Sequence, residues 1–141
     1  MNSNVKIQII GRQLDIEPDE AIETLHTGIM KQVGDTHYLR YQEIPVEEDG
    51  TPLTPIDCLM KIGTDKVSIN RRGLAEMTFH RGRTCHCIYS TPAGDMMMSV
   101  ATSKLSHKQS DESLHLHLEY ELSINSTHAS DNTIDIIIRP A

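Results

Sequence analysis

Aromatic side chains are almost missing from this chain of 141 residues, which has four tyrosines, one phenylalanine (Phe79) and no tryptophan. Any core must therefore be built mainly from Ile, Leu, Val and Met. Positive charge is also scarce. Lys and Arg total 13 against 20 Asp and Glu, a formal net charge of −7. That balance argues against nonspecific attachment to nucleic acid or to an anionic membrane, because both reward a basic surface. The three cysteines, Cys58, Cys85 and Cys87, form an odd set without the spacing of a disulfide framework. The opening MNSNVKIQII lacks the basic region and apolar run of a signal peptide. No segment approaches the roughly 20 consecutive apolar residues of a membrane-spanning helix. A reducing cytoplasm is the expected setting. A long helical period and internal repeats are missing too, which excludes a parallel α/β fold.

What the chain does have is alternation. Val5, Ile7 and Ile9 alternate with polar residues, as in a strand with one buried face. Gly11–Glu20 reads as an acidic turn. A second strand is expected over Ala21–Lys31, although its pattern is imperfect: Ile22, Thr24 and His26 share one face and Leu25 falls on the other. A short helix over Pro18–Leu25 is the alternative. THYLRYQEI then reads as a third strand, and EEDGTPLTP (Glu47–Pro55) as a loop that its prolines keep out of any central strand. That loop suits a solvated connection, a lid or a partner-binding segment. After a short strand over Asp57–Ile62, the run Lys66–Thr102 contains four apolar-alternating pieces separated by turns at Arg72-Gly73, Arg81-Gly82 and Ala93-Gly94, the pattern of a β-meander. SKLSHKQSDES is a polar connection. Leu114–Ile124 is the cleanest strand, with six apolar positions facing one way and five polar ones the other. A polar turn, NSTHASDN, leads into TIDIIIR, where Ile134, Ile136 and Ile138 face inward. The expected fold is an all-β antiparallel meander barrel of about 8–10 strands, forming one domain over residues 1–141.

The ordered series Tyr38-Leu39 with Tyr41 and Glu43, Arg71 with Gly73, Met77-Thr78-Phe79 with Gly82, Tyr89-Ser90-Thr91-Pro92 with Gly94, then Thr102 and Tyr120 resembles the YwiB-like family of uncharacterised bacterial proteins. The resemblance spans roughly Val5 to Ile138 and implies a calycin (lipocalin-like) barrel. It implies no activity and supplies no catalytic residues. The Cys85-His86-Cys87 run and the histidine-rich C-terminal strand are departures particular to this chain.

Strand periodicity places chemistry on the inner face. If Val67 and Ile69 point inward, so does Arg71. By the same rule Leu39, Tyr41 and Glu43 share a face, as do Tyr89 and Thr91. A buried guanidinium needs a partner, and Glu43 is the natural one. Arg71 could grip a ligand carboxylate, close one barrel end with Glu43, or reach solvent. Tyr41, Glu43, Arg71, Tyr89, Thr91, Thr102 and Tyr120 are the candidate ligand-binding residues. Cys85 and Cys87 share a face and read as small core residues, since two thiols on a strand supply too few ligands for a metal. His115 and His117 could hold a transition metal weakly, but the apolar face opposite them puts them on the outer wall as solvated histidines. Among Met96, Met97 and Met98, an outward Met97 would add to an apolar patch suited to dimerisation. Arg71-Arg72 and Arg81-Gly82-Arg83 are the basic clusters and read as solvated turns. Full protonation of the eight histidines would carry the net charge from −7 to +1, so solubility should be lowest near pH 5.5.

The sequence displays no catalytic triad, metal-ligand set or phosphate loop, and no cofactor is expected. A non-enzymatic barrel binding a small, partly apolar ligand, with or without a carboxylate, is the leading expectation. The competing one is a structural or interaction barrel, filled by its own side chains and homodimeric through its outer face. Neither nucleic acid nor membrane is an expected partner.

Overall fold

The computed structural model describes residues 4–15, 17–72 and 75–141. Ten strands follow one another: β1 (Asn4–Gln13), β2 (Glu17–Val33), β3 (Thr36–Glu43), β4 (Ile56–Ile62), β5 (Lys66–Arg71), β6 (Ala75–His80), β7 (Thr84–Thr91), β8 (Gly94–Gln109), β9 (Leu114–Ile124) and β10 (Thr127–Pro140). All pair antiparallel in one sheet of order β6-β5-β4-β3-β2-β1-β10-β9-β8-β7. The first and last strands are neighbours, so the chain goes once around. Its seam falls where the meander looked strongest, between β6 and β7. These are consecutive strands, yet they are the two edges of the sheet. Backbone bonds from Gly82 to Thr102 (2.8 Å) and from Thr102 to Arg83 (3.2 Å) carry the β7–β8 ladder into the β6–β7 turn, and Arg81, just past β6, donates from its side chain to Leu105 O of β8 at 3.2 Å. The result is a nearly closed all-β barrel. Among the described residues no helix is long and apolar enough to cross a membrane.

The inner face forms a single hydrophobic cluster. Ile7, Leu39, Met60, Val67, Leu116 and Ile138 are fully enclosed in it, each burial contributing about 1.5–3 kcal/mol. Phe79, the lone phenylalanine, meets Tyr120 edge-on at 4.9 Å between ring centroids. The rest of the cluster is mostly aliphatic and thioether side chains, as the composition requires.

Four boundaries differ from the sequence reading. Glu17–Val33 is strand throughout, so no helix forms over Pro18–Leu25: β2 pairs with β1 along the hairpin, and those backbone bonds are available only to extended chain. Gly11–Glu20 is accordingly mostly strand, with its turn confined to the neighbourhood of Leu14-Asp15. The polar stretch after Thr102 is not a connection either. β8 continues to Gln109, and a bulge between Thr102 and Lys104 shifts its phase so that Leu105 is buried. Likewise NSTHASDN shrinks to a two-residue turn at Asn125 (φ 50°) and Ser126 (φ 67°), the doubly left-handed geometry that matches strand twist in a hairpin. The expected turn at Gly73 lies outside the described residues.

Candidate functional site

The inner residues at one end of the barrel are fixed by register. Gly28 of β2 lies opposite Tyr41 of β3, Tyr41 opposite Cys58 of β4, and Cys58 opposite Arg71 of β5. Arg71 donates from Nε to Glu43 Oε1 at 3.2 Å, with the two side chains 47% and 22% exposed. The pair therefore rims the barrel end rather than standing inside it. Beneath it, Tyr41 is buried and its hydroxyl has no hydrogen-bond partner among the described residues. Burial, with a smaller contribution from neighbouring Cys58 and Glu43, holds the phenol well above its ordinary pKa. Burial likewise pushes the Cys58 thiol up to about 11, which keeps it protonated and unreactive. The His26 ring packs against Tyr41 at 5.1 Å.

Of the other residues singled out in the sequence, Tyr120 lies close enough for Arg71 to lower its pKa, although burial raises it overall. Thr102 sits opposite Tyr120, and its buried hydroxyl is also unpaired. Tyr89 and Thr91 belong to the β7–β8 hairpin on the far edge of the sheet. Thr91 donates to Gly94 O at 2.6 Å within its own turn, and Tyr89 makes no side-chain hydrogen bond among the described residues. The structure thus gathers Tyr41, Glu43 and Arg71, with Tyr120 within electrostatic reach. Among the described residues no hydrogen bond, ion pair or ring contact links Tyr89 or Thr91 to them.

A larger concavity lies outside the barrel. Beyond the Gly28–Tyr41 pair β3 parts from β2, and there an open groove of about 1850 Å³ runs across the outer face from β10 to β5, reaching inward to Tyr41, Cys58 and His26. Leu25 and Ile29 of β2 line it and are 72% and 62% exposed. Its charged side chains are four cations, Lys6, Arg40, Arg72 and Arg139, and one carboxylate, Asp57. Arg72 lies 3.7 Å from Asp57; Lys6, Arg40 and Arg139 have no ion-pair partner among the described residues. Sequence reading missed this basic surface. Alternation does put Lys6 and Arg40 on outward positions. Their convergence with Arg139 depends on β10 pairing with β1, in which Lys6 meets Arg139 across the whole length of the chain.

Residues 7–136 match the family described as Domain of unknown function (DUF1934). The chain belongs to that family. Among solved structures it is similar to the ywiB protein from Bacillus subtilis, with a TM-score of 0.79 and 16% sequence identity over 99% of this chain and 92% of that one. At that identity the likeness carries the fold. No curated protein matches the chain. The expected YwiB-like membership therefore holds, and the family description assigns no activity.

Elsewhere in this DUF1934 chain, His115 and His117 do lie on the outer wall, but they are not simply solvated. His115 Nε2 and His117 Nδ1 approach the same Asp135 oxygen at 3.0 and 2.8 Å, and His117 Nε2 approaches Glu119 Oε2 at 2.9 Å. Burial pulls the His117 pKa down, but the two carboxylates outweigh it and the net shift is upward. Burial opposes the same contacts at Asp135, whose pKa is lowered overall. A third histidine, His128, contacts Asp15 at 3.0 Å and lies 3.5 Å from Glu121. Asp15, His128 and Asp131 converge closely enough to hold a cation, all of them exposed. Cys85 and Cys87 are half-buried on the edge strand β7 rather than core residues, because nothing pairs with β7 on its outer side. Met97 does point outward and is exposed.

Proposed function

We propose that this chain is a non-enzymatic, cytoplasmic, calycin-like barrel that works as an interaction module, taking an acidic, partly apolar polypeptide segment in its outer groove. The observation that carries this reading is charge segregation: four cationic side chains against one acidic one line the groove of a protein whose net charge is −7. Such concentration of positive potential favours an acidic partner over like-charged surfaces. The exposed Leu25 and Ile29 favour a partner with apolar side chains over a sugar-phosphate backbone. Size points the same way. Small-molecule pockets enclose roughly 300–1,000 Å³, whereas this groove is larger and open along its length. The barrel interior meanwhile carries the buried apolar cluster around Ile7, Leu39 and Leu116.

A second reading rests on a different observation, the unpaired buried hydroxyls of Tyr41 and Thr102. A small ligand with an apolar body and a carboxylate, seated at the barrel end beside Arg71, would give Tyr41 an acceptor. One NMR titration separates the readings, using an acidic Glu/Ile peptide, an oligothymidylate of equal charge and decanoate. The peptide is expected to shift the amides of Leu25, Ile29 and Arg40, and to lose binding in a folded Arg40→Glu variant. Equal binding by that variant, or a response to the oligonucleotide alone, would overturn the groove reading. Decanoate shifts centred on Tyr41 would support the second.

A further inference from the structure

The groove and its complement lie side by side on this molecule. The chain leaving β3 forms a compact excursion over residues 44–55, held by Glu47 N–H to Thr51 O at 2.9 Å, Leu53 N–H to Pro45 O at 2.8 Å and a bridge between Val46 and Pro52. Gly50, at φ 88°, turns its tip, and Thr51 N–H donates to Asp49 Oδ1 at 2.9 Å. This is a preformed hairpin rather than a slack loop. It presents exposed Ile44, Val46 and Leu53 beside Glu47, Glu48 and Asp49, and none of these three carboxylates has a cationic partner among the described residues. Apolar side chains next to unpaired acids are the chemistry that Leu25, Ile29 and the free cations of the groove lack. Ile44 lines the groove's rim, yet Val46 remains 62% exposed, so the hairpin does not fill the groove of its own chain.

We propose that the occupant of the groove is the Ile44–Pro55 hairpin of a second copy of this chain, the two copies exchanging hairpins about a twofold axis. This inference rests on the groove reading above and names its partner. A twofold contact is self-complementary: each groove that takes a hairpin belongs to a chain that gives one, so every favourable contact occurs twice. Preorganisation of the hairpin lowers the ordering cost of docking. The electrostatic part weakens with salt, because the groove is open and its charges are screened.

Sedimentation of the full chain, over about a hundred-fold range of concentration and at low and high salt, tests the proposal. The expected result is a dimer that dissociates more readily in high salt. Lys6→Glu with Arg40→Glu reverses the net side-chain charge of the groove, so that both faces of a copy are negative, and Glu47→Arg with Glu48→Arg makes both positive. Each variant should raise the dissociation constant about tenfold or more. Their equimolar mixture should restore dimer, because each groove then meets a hairpin of opposite sign; circular dichroism confirms that both variants fold. A wild-type chain that stays monomeric while the Glu/Ile peptide still binds overturns the second-copy assignment and leaves the groove reading standing. A dimer indifferent to both variants, or variants that fail to restore dimer when mixed, also overturns it. Loss of peptide binding together with a monomeric chain removes both readings.

Discussion

Tyr41 and Arg71 meet at one barrel end and answer to different physics. The Tyr41 hydroxyl is buried with no partner, and a buried unsatisfied polar group costs about 1–3 kcal/mol. Tyr41→Phe keeps the ring against His26 and removes that cost, so it should stabilise the free protein by about 1 kcal/mol, read as a higher urea midpoint at unchanged slope. A loss of stability instead would mean that the hydroxyl is satisfied in solution. Arg71→Met breaks a pair whose members are 47% and 22% exposed. Half-solvated pairs are worth about 0–1 kcal/mol, so the variant should fold with a cost inside that range. Severe unfolding would show that Glu43 depends on Arg71 far more than its exposure indicates. The sequence brought these two residues to one face by counting in twos. It could not reveal how far up the barrel that face stays covered, and that distance is what turns an internal ion pair into a rim.

Among the elements, β2 does most to shape the candidate surface. It is paired with β1 along the hairpin but with β3 only from Gly28 onward, and the groove begins where that second pairing stops. Gly28 marks the point because β3 comes very close: a Cβ there would collide with the Arg40 carbonyl oxygen and touch Tyr41 Cβ at 3.0 Å. Backbone cannot yield as a flexible side chain can. Gly28→Ala should therefore cost about 2 kcal/mol or more, measured by denaturation, and should loosen β2 from β3. A neutral Gly28→Ala would show that this approach is not a constraint. Strands with one wet face, such as β9, were legible in the sequence because alternation is a direct consequence of one-sided burial. The acidic start of β2 and the polar end of β8 were not legible. There extension is imposed by pairing with a neighbour, and the outward residues are free to be polar. The seam was equally hidden, since β6 and β7 are joined by a short turn like any hairpin. The groove's cations come from strands brought together only by sheet order, so local patterning could not group them.

For the molecule as a whole, the histidines couple stability to pH. His117 and His128 have folded pKa values raised above 6.5, the former because Asp135 and Glu119 outweigh burial, the latter chiefly through its bond to Asp15. A raised histidine contributes stability that is fully present below the unfolded value and is lost as pH rises through the folded one. Asp135 and Asp15 have folded values below 3.8, so their contribution is present above that value and lost as pH falls through the lowered folded one. Both sets are complete between pH 3.8 and 6.5. His37 works against them: burial lowers its pKa, so protonation of the unfolded chain below 6.5 favours unfolding. Two raised imidazoles against one lowered one place the net optimum on the mildly acidic side. Urea midpoints should accordingly be higher at pH 6 than at pH 8, and His117→Gln should reduce that difference, by about 1 kcal/mol or less for a pair this exposed. A flat profile, or an unaltered one in His117→Gln, would mean that these pairs are not held in solution. The sequence pI of about 5.5 lies within the same window, so the chain should be least soluble where its imidazole–carboxylate pairs are complete, and stability must be measured there at low concentration to keep aggregation from masking it.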